Sequence, residues 1–446
     1  MDIIESLIKK LLDVRYEAIP KETIELTRMS ILDTFGVLQA GKGAPGCNEL
    51  IDLVKYWGGR AESTILLDGR KIPAPNAALA NAVMCRALDF DTATAGKGCH
   101  LDASVIPVAL AICEKGEISG EEFLAAIVLA KDLASRINVA TKQYYGFDPT
   151  ICCGIFATTA VAARLLGLDF RQTHHALGMA LNEASGTFQS NIDGALSVRL
   201  NQGMAALKGI ICAELALRGY TGVTNVIQGV CGYANLIARG NFDCDILLED
   251  LEGKYYGDLT LFKRWPSCGG TLAATDLAVE VARSRELDVK DISDVVVFLS
   301  KGVAALVGSD FKVGETPAVD AQFSVQYAVA NALLRKDSLL VHFTEAYVKD
   351  EAVMELIRKI NVKIDEKAGS GARLEIRRID GNMIVKDAKI MRGHHSNPLS
   401  PEEILGKYVE NIAFAQRVEQ GKAIQEQVMD LEKLNDIRSL VNLLES

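Results

Sequence analysis

Histidine and aromatic residues are scarce in this chain of 446 residues, which has six histidines, two tryptophans and 6% Phe, Trp and Tyr together. With so few large rings, the core must be built from small and aliphatic side chains, which suits closely packed helices. Long apolar runs are missing too. The most apolar stretches, 105–113 and 123–130, fall far short of the roughly 20 residues a membrane-spanning helix needs. The N-terminal MDIIESLIKKLLDVRYE sets charges inside its apolar pattern and predicts an amphipathic helix, not a signal peptide. The cytoplasm is therefore the expected compartment.

Basic clusters are also lacking, and the formal net charge is -10. Such a surface repels phosphate backbones, which argues against nucleic acid as a partner. A small anion remains an eligible ligand where Lys, Arg or helix N-termini gather locally. None of the ten cysteines forms a C-x-x-C pair, and Cys85, Cys113 and Cys212 fall inside apolar helical patterns. They read as small buried hydrophobes, with no iron–sulfur cluster expected. GKGAPG at 41–46 has the letters of a dinucleotide loop, but it follows a helical pattern and contains Pro45, so it predicts a plain loop.

What is present is an ordinary globular balance, 49% hydrophobic and 24% charged, in a chain long enough for two domains. Apolar residues recur at three and four spacing over 24–38, 76–88, 121–140, 155–166 and 205–217, predicting helices through about residue 265. After Pro266 the texture changes. The stretch 292–299, ISDVVVFL, is rich in β-branched residues, and RLEIRRI and NMIVKDAKI alternate around Asp380-Gly381, which predicts a hairpin. Helical patterns intervene at 274–284, 324–334 and 351–360. Ser400-Pro-Glu-Glu403 has capping-box spacing and opens a helical tail.

The densest chemistry lies in ALDFDTATAGKGCHLDASVIP at 87–107, where Asp89, Asp91, Thr94, Lys97, His100, Asp102 and Ser104 crowd together. From the residues alone this is either an acidic, solvated helix end or a site loop. Asp89, Asp91 and His100 are too widely spread to make a metal centre by spacing, so no metal is expected. Of the six histidines, His174, His175, His342, His394 and His395 lie at helix starts or connections and read as structural or solvated; only His100 sits among site-like groups. LFKRWPSCGGT at 261–271 sets Lys263 and Arg264 beside a flexible turn at the change of texture, a place where small-molecule sites form. Lys208 and Arg199, in or beside one helical segment, are further candidates for binding a carboxylate.

Taken in order, ILDTFG (31–36), ALDFD with His100 and VIP (87–107), GFDPT and ARLLGLD (146–169), ALGMALNEASG (176–186), LNQGMAA with GYTG (200–222), KRWPSC (263–268), AQFSVQYAVANALL (321–334) and NPLSPEEI (397–404) resemble the MmgE/PrpD family over nearly the whole chain. That family includes methylcitrate dehydratase, cis-aconitate decarboxylase and iminodisuccinate epimerase. The resemblance implies a mainly α protein: an all-helical domain of residues 1–265 completed by 400–446, and a smaller α+β lid domain of 266–399. It also implies a homodimer, a cleft that binds di- or tricarboxylates, and no metal or organic cofactor.

Carried over by motif, the family's site Asp falls on Asp89, its His on His100 and its lid-side Lys on Lys263, with Cys268 where some members have His. Three positions depart from the pattern. The usual D-F-D-D-T reads Asp89-Phe90-Asp91-Thr92-Ala93, so the site Thr is lost or replaced by Thr94. The usual G-W-H-P-T has Asp148 in place of His, and the helix Lys of cis-aconitate decarboxylase falls on Leu207, one position before Lys208. These losses point away from cis-aconitate decarboxylation itself.

The expected chemistry is proton transfer at a carbon next to a carboxylate, dehydratase-like in the first instance. An epimerase or isomerase is the alternative, and an inactive binding or structural member the third. His100 is the expected general acid or base, because imidazole titrates near neutral pH. Asp89 is expected to orient it, Lys263 with Lys208 or Arg264 to grip carboxylates, and Tyr145 or Asp148 to supply a second proton-transfer group.

Overall fold

The three-and-four spacing of the first 260 residues is realised as helices, several of which bury nearly all their faces. The computed structural model describes residues 2–94, 98–284 and 287–445. Its principal helices in this part are α1 (Ile4–Asp13), α2 (Lys21–Gly41), α3 (Ala74–Arg86), α4 (Asp102–Cys113), α5 (Gly120–Ala140), α6 (Gly154–Leu165), α7 (Phe170–Glu183) and α8 (Ser197–Leu217). Starts follow local chemistry: the Ser119 side chain accepts from the Glu122 N–H to begin α5, and Asp169 with Gln172 forms a capping box on α7. α4 is buried along its whole length, Asp102 and Ser104 included. Polar groups so placed must find partners inside the protein.

Small residues let α8 wedge between its neighbours. A Cβ added at Gly203 would lie 2.6 Å from Leu79 of α3, and one at Gly209 would lie 2.3 Å from Thr158 of α6. Any larger side chain there would push the helices apart. All ten cysteines are free thiols. Among the described residues no helix is long and apolar enough to cross a membrane.

A second core gathers around a four-stranded sheet of order β6-β5-β7-β8, formed by β5 (Ile292–Leu299), β6 (Ile360–Ile364), β7 (Ala372–Arg378) and β8 (Met383–Ala388). β5 pairs parallel with β6 and antiparallel with β7. Helices α9 (Gly269–Arg283) and α10 (Val325–Arg335) share this core. The chain then returns. Ser400 and Glu403 form the capping box of α11 (Pro401–Phe414), whose Tyr408 and Ile412 join the helical core. The protein is thus mainly α, with a small mixed sheet in its C-terminal part.

Two expectations need correction. The helix predicted over 351–360 stops at Ile357, and Ile360 instead opens the parallel strand β6. The segment read as wholly helical also holds two short antiparallel pairs, β1 (Ser63–Thr64) with β2 (Lys71–Ile72), and β3 (Ala93–Thr94) with β4 (Thr260–Leu261). The second pair is short, yet it decides the geometry of the candidate site.

Candidate active site

Arg86 is the last residue of α3, and beyond it the chain turns sharply. Asp89 adopts φ +50°, a left-handed conformation uncommon for a residue with a Cβ. Four residues later β3 pairs with β4, with Ala93 opposite Leu261. That ladder draws Lys263, two residues past Leu261, onto the Asp89 turn. Lys263 Nζ lies 3.0 Å from Asp89 Oδ1 and donates to the Asp89 carbonyl at 2.9 Å. Arg86 also donates to Asp89 Oδ1, and its Nη1 lies 3.4 Å from Asp91 Oδ1. Asp89, Asp91, Arg86 and Lys263 are all buried.

His100 completes the group. Its Nδ1 lies 2.9 Å from Asp91 Oδ2 and 3.0 Å from the Thr92 carbonyl. Both of these atoms are acceptors, so Nδ1 carries the proton and Nε2 is left as the basic nitrogen of the neutral ring. Nε2 has no protein partner among the described residues. Asp89 Oδ2 is buried and also has no hydrogen-bond partner among the described residues. Two proton-accepting atoms therefore stand unpartnered in one charged cluster.

Burial alone would raise both carboxyls. For Asp89 it is outweighed by Arg86, then Lys263 and His100, and for Asp91 by His100 and Arg86, so both titrate below the usual carboxylate range. A carboxylate with a depressed folded value adds stability above its unfolded value of about 3.9, and that stability is lost as pH falls through the folded value. Thermal stability is therefore expected to drop below about pH 4, and Asp91→Asn should make that drop shallower. Superimposable pH–stability curves for the two proteins would contradict this account of Asp91.

The partner of His100 is Asp91, where Asp89 was expected. Cys268, half-buried at the start of α9, lies close enough that burial and then Asp89 raise its thiol while Lys263 lowers it. Other expected residues are occupied elsewhere. Asp148 is buried and caps a short helix, accepting from the Thr150 N–H at 2.9 Å and from Asn201 at 2.7 Å. The Tyr145 hydroxyl meets Asn241, and Arg239 stacks on its ring at 4.5 Å. Lys208 pairs with Glu183 at 2.8 Å. Arg264 grips Glu410 of α11 through two bonds of 3.0 and 3.1 Å and lies over the Trp265 ring. Thr94 contributes backbone to the β3–β4 ladder and donates its N–H to the Cys99 carbonyl at 2.7 Å. Lys97 lies outside the described residues.

Sequence reasoning missed Arg86 and Thr92. Arg86 reads as the basic end of a helix, and only its burial shows it to be the shared cation of Asp89 and Asp91. Thr92 presents its carbonyl to His100 while its hydroxyl donates to Asp102 at 2.5 Å. Asp102 is paired in turn with Lys131 at 2.7 Å. The available signal was charge inside apolar helical patterns, since buried Asp, Lys and Arg persist only when paired.

A cavity of about 400 Å³ opens beside the cluster, between the helical part and the α+β part. Its wall includes Leu88, Pro45 and the buried Arg199 on one side, and Pro317, Gln322 and Phe343 on the other. The ionised groups themselves are not part of this wall, although Leu88 is the immediate neighbour of Asp89. Among the described residues, no three His, Cys, Asp or Glu side chains are grouped to hold a metal ion.

Comparison with known proteins agrees with this architecture. A family model of the MmgE/PrpD N-terminal domain matches residues 5–245, and one of the MmgE/PrpD C-terminal domain matches residues 265–433. Cis-aconitate decarboxylase of Aspergillus terreus is 24% identical over 458 residues, covering 96% of this chain and 92% of the relative. Human cis-aconitate decarboxylase is 24% identical over 462 residues, covering 99% of this chain and 94% of the relative. The cis-aconitate decarboxylase-like protein oryM of Aspergillus oryzae is 23% identical, covering 96% and 94%. Matched along both of its parts by the two domains of one family, the chain belongs to the MmgE/PrpD family.

Proposed function

We propose that the protein is a cofactor-independent lyase acting on a small di- or tricarboxylate, moving a proton at a carbon next to a carboxylate. The observation that carries this is His100, its Nδ1 held by Asp91, in one cluster with the unpartnered Asp89 Oδ2 and the buried cations Arg86 and Lys263. A carbon acid beside a carboxylate is weak, and its ionisation needs fixed cations against the developing enolate-like charge. Arg86 and Lys263 are held in place by Asp89 before substrate arrives, so little reorganisation remains for the reaction step.

In a dehydration, His100 takes the α-proton, the C–H electrons become the C=C bond, and hydroxide leaves with a proton as water. In a decarboxylation, the C–C bond breaks, CO2 departs, and the carbon takes a proton from Nε2 of His100 in its imidazolium form, which leaves the ring neutral. The relatives' names favour the second bond cleavage, while the departures at Asp148 and Leu207 favour a substrate different from theirs. An epimerase needs an acid or base on each face of the carbon. Tyr145 and Asp148, the residues offered for the second face, are engaged elsewhere, which supports a lyase over an epimerase.

The test is incubation of the purified protein with hydroxy- and unsaturated di- and tricarboxylates, followed by NMR and CO2 capture. An alkene formed with loss of water or CO2 is the expected result. Inverted stereochemistry without bond loss would replace the lyase with an epimerase, and binding without any product would leave a binding protein.

A further inference from the structure

The turn that carries Asp89 and Asp91 is held from behind by α11, the helix with which the chain returns to the helical core. Lys407 of α11 is fully buried and forms an ion pair with the equally buried Asp33 of α2 at 2.8 Å. Its Nζ also donates to the Phe90 carbonyl at 2.7 Å and lies 3.9 Å from the centre of the Phe90 ring. Three residues on, and so on the same side of α11, Glu410 holds Arg264 by its two-fold hydrogen bond. Arg264 directly follows Lys263. One helix therefore grips both arms of the cluster, the residue after Asp89 and the residue after Lys263.

We infer that α11 acts as a strut for the active site, with Lys407 and Glu410 as positioning residues that set Asp89, Asp91 and Lys263 against one another. This rests on the lyase reading for its effect on rate, but not for its effect on geometry. Left-handed φ at Asp89 is tolerated only where the surroundings over-determine it. The peptide next to it is tied by Lys407, and the opposite end of the turn is tied by Thr92 through Asp102 to Lys131. Released at Phe90, Asp89 would relax towards extended backbone and carry its carboxylate away from Lys263. Misplacement of about 1 Å at a reacting group costs on the order of 10²-fold in rate.

The double variant Asp33→Asn/Lys407→Met removes both buried charges together, so neither is left uncompensated. Its kcat is expected to fall about 10–100-fold, with KM within about three-fold of wild type and little change in Tm. The low-field Nδ1 proton of the His100–Asp91 bond, read by NMR, should shift or broaden. Glu410→Gln, which keeps the side chain's shape at a half-exposed position, serves where the double variant folds poorly. It should lower kcat about three-fold and move the same resonance at unchanged Tm.

Wild-type kcat and an unmoved His100 resonance in either folded variant overturn the strut. So does a kcat loss that merely tracks the unfolded fraction. A wild-type protein with no turnover at all overturns the lyase reading instead, and the resonance alone then decides the strut.

Discussion

Replacing His100 with Ala is expected to lower kcat for the proposed reaction by about 10²–10⁴-fold, the usual contribution of a positioned acid or base. The substitution should leave the fold nearly untouched. His100 is only slightly exposed, but its ring bonds to Asp91 and the Thr92 carbonyl, and Asp91 keeps Arg86 as a partner when the ring is gone. Circular dichroism and Tm close to wild type, together with the loss of kcat, are the expected combination. His100→Gln should not rescue, because a side-chain amide cannot accept and return a proton near neutral pH. Full turnover in either variant would remove His100 from the mechanism.

Lys263→Met should damage both stability and activity. Lys263 is buried and paired with an equally buried carboxylate at 3.0 Å. Breaking one side of such a pair costs about 3–5 kcal/mol, because the remaining charge loses its compensation. Arg86 softens that loss, since it also holds Asp89. Chemical denaturation should show the lower midpoint, and kcat/KM should fall about 10²–10³-fold as a fixed cation is lost from the transition state. The double variant Asp89→Asn/Lys263→Met separates the two effects. It should regain most of the stability and none of the activity. Activity recovered along with stability would make Lys263 a structural residue only.

Much of this was legible in the amino-acid order, for identifiable reasons. Long helices announce themselves by three-and-four spacing. The strand Ile292–Leu299 and the hairpin around Asp380-Gly381 do so by β-branched runs and a turn residue. Two-residue ladders have no periodicity to read, so β3 and β4 could not be foreseen, although they bring Lys263 to Asp89. The start of β6 was hidden because Arg358 and Lys359 separate it from the preceding helix without a Gly or Pro stop.

The site divides in the same way. Asp89, His100 and Lys263 lie in short motifs, and the structure gathers them into one cluster. Tyr145, Asp148, Lys208 and Arg264 carry suitable chemistry, but each meets a nearer partner that spacing does not reveal. Asp33 and Lys407 lie far apart in the chain and meet only because α11 returns to α2. Their signature was a lone charge within an apolar helical pattern, as in ILDTFG.

The most direct test of the central claim is solvent deuterium incorporation at the carbon next to the substrate carboxylate, followed by NMR in D2O. The account predicts incorporation with wild-type protein and near-complete loss of it in His100→Ala, with the ligand still bound. Substrate or analogue that binds wild-type protein and gains no deuterium, or gains it equally with His100→Ala, would contradict proton transfer by this histidine.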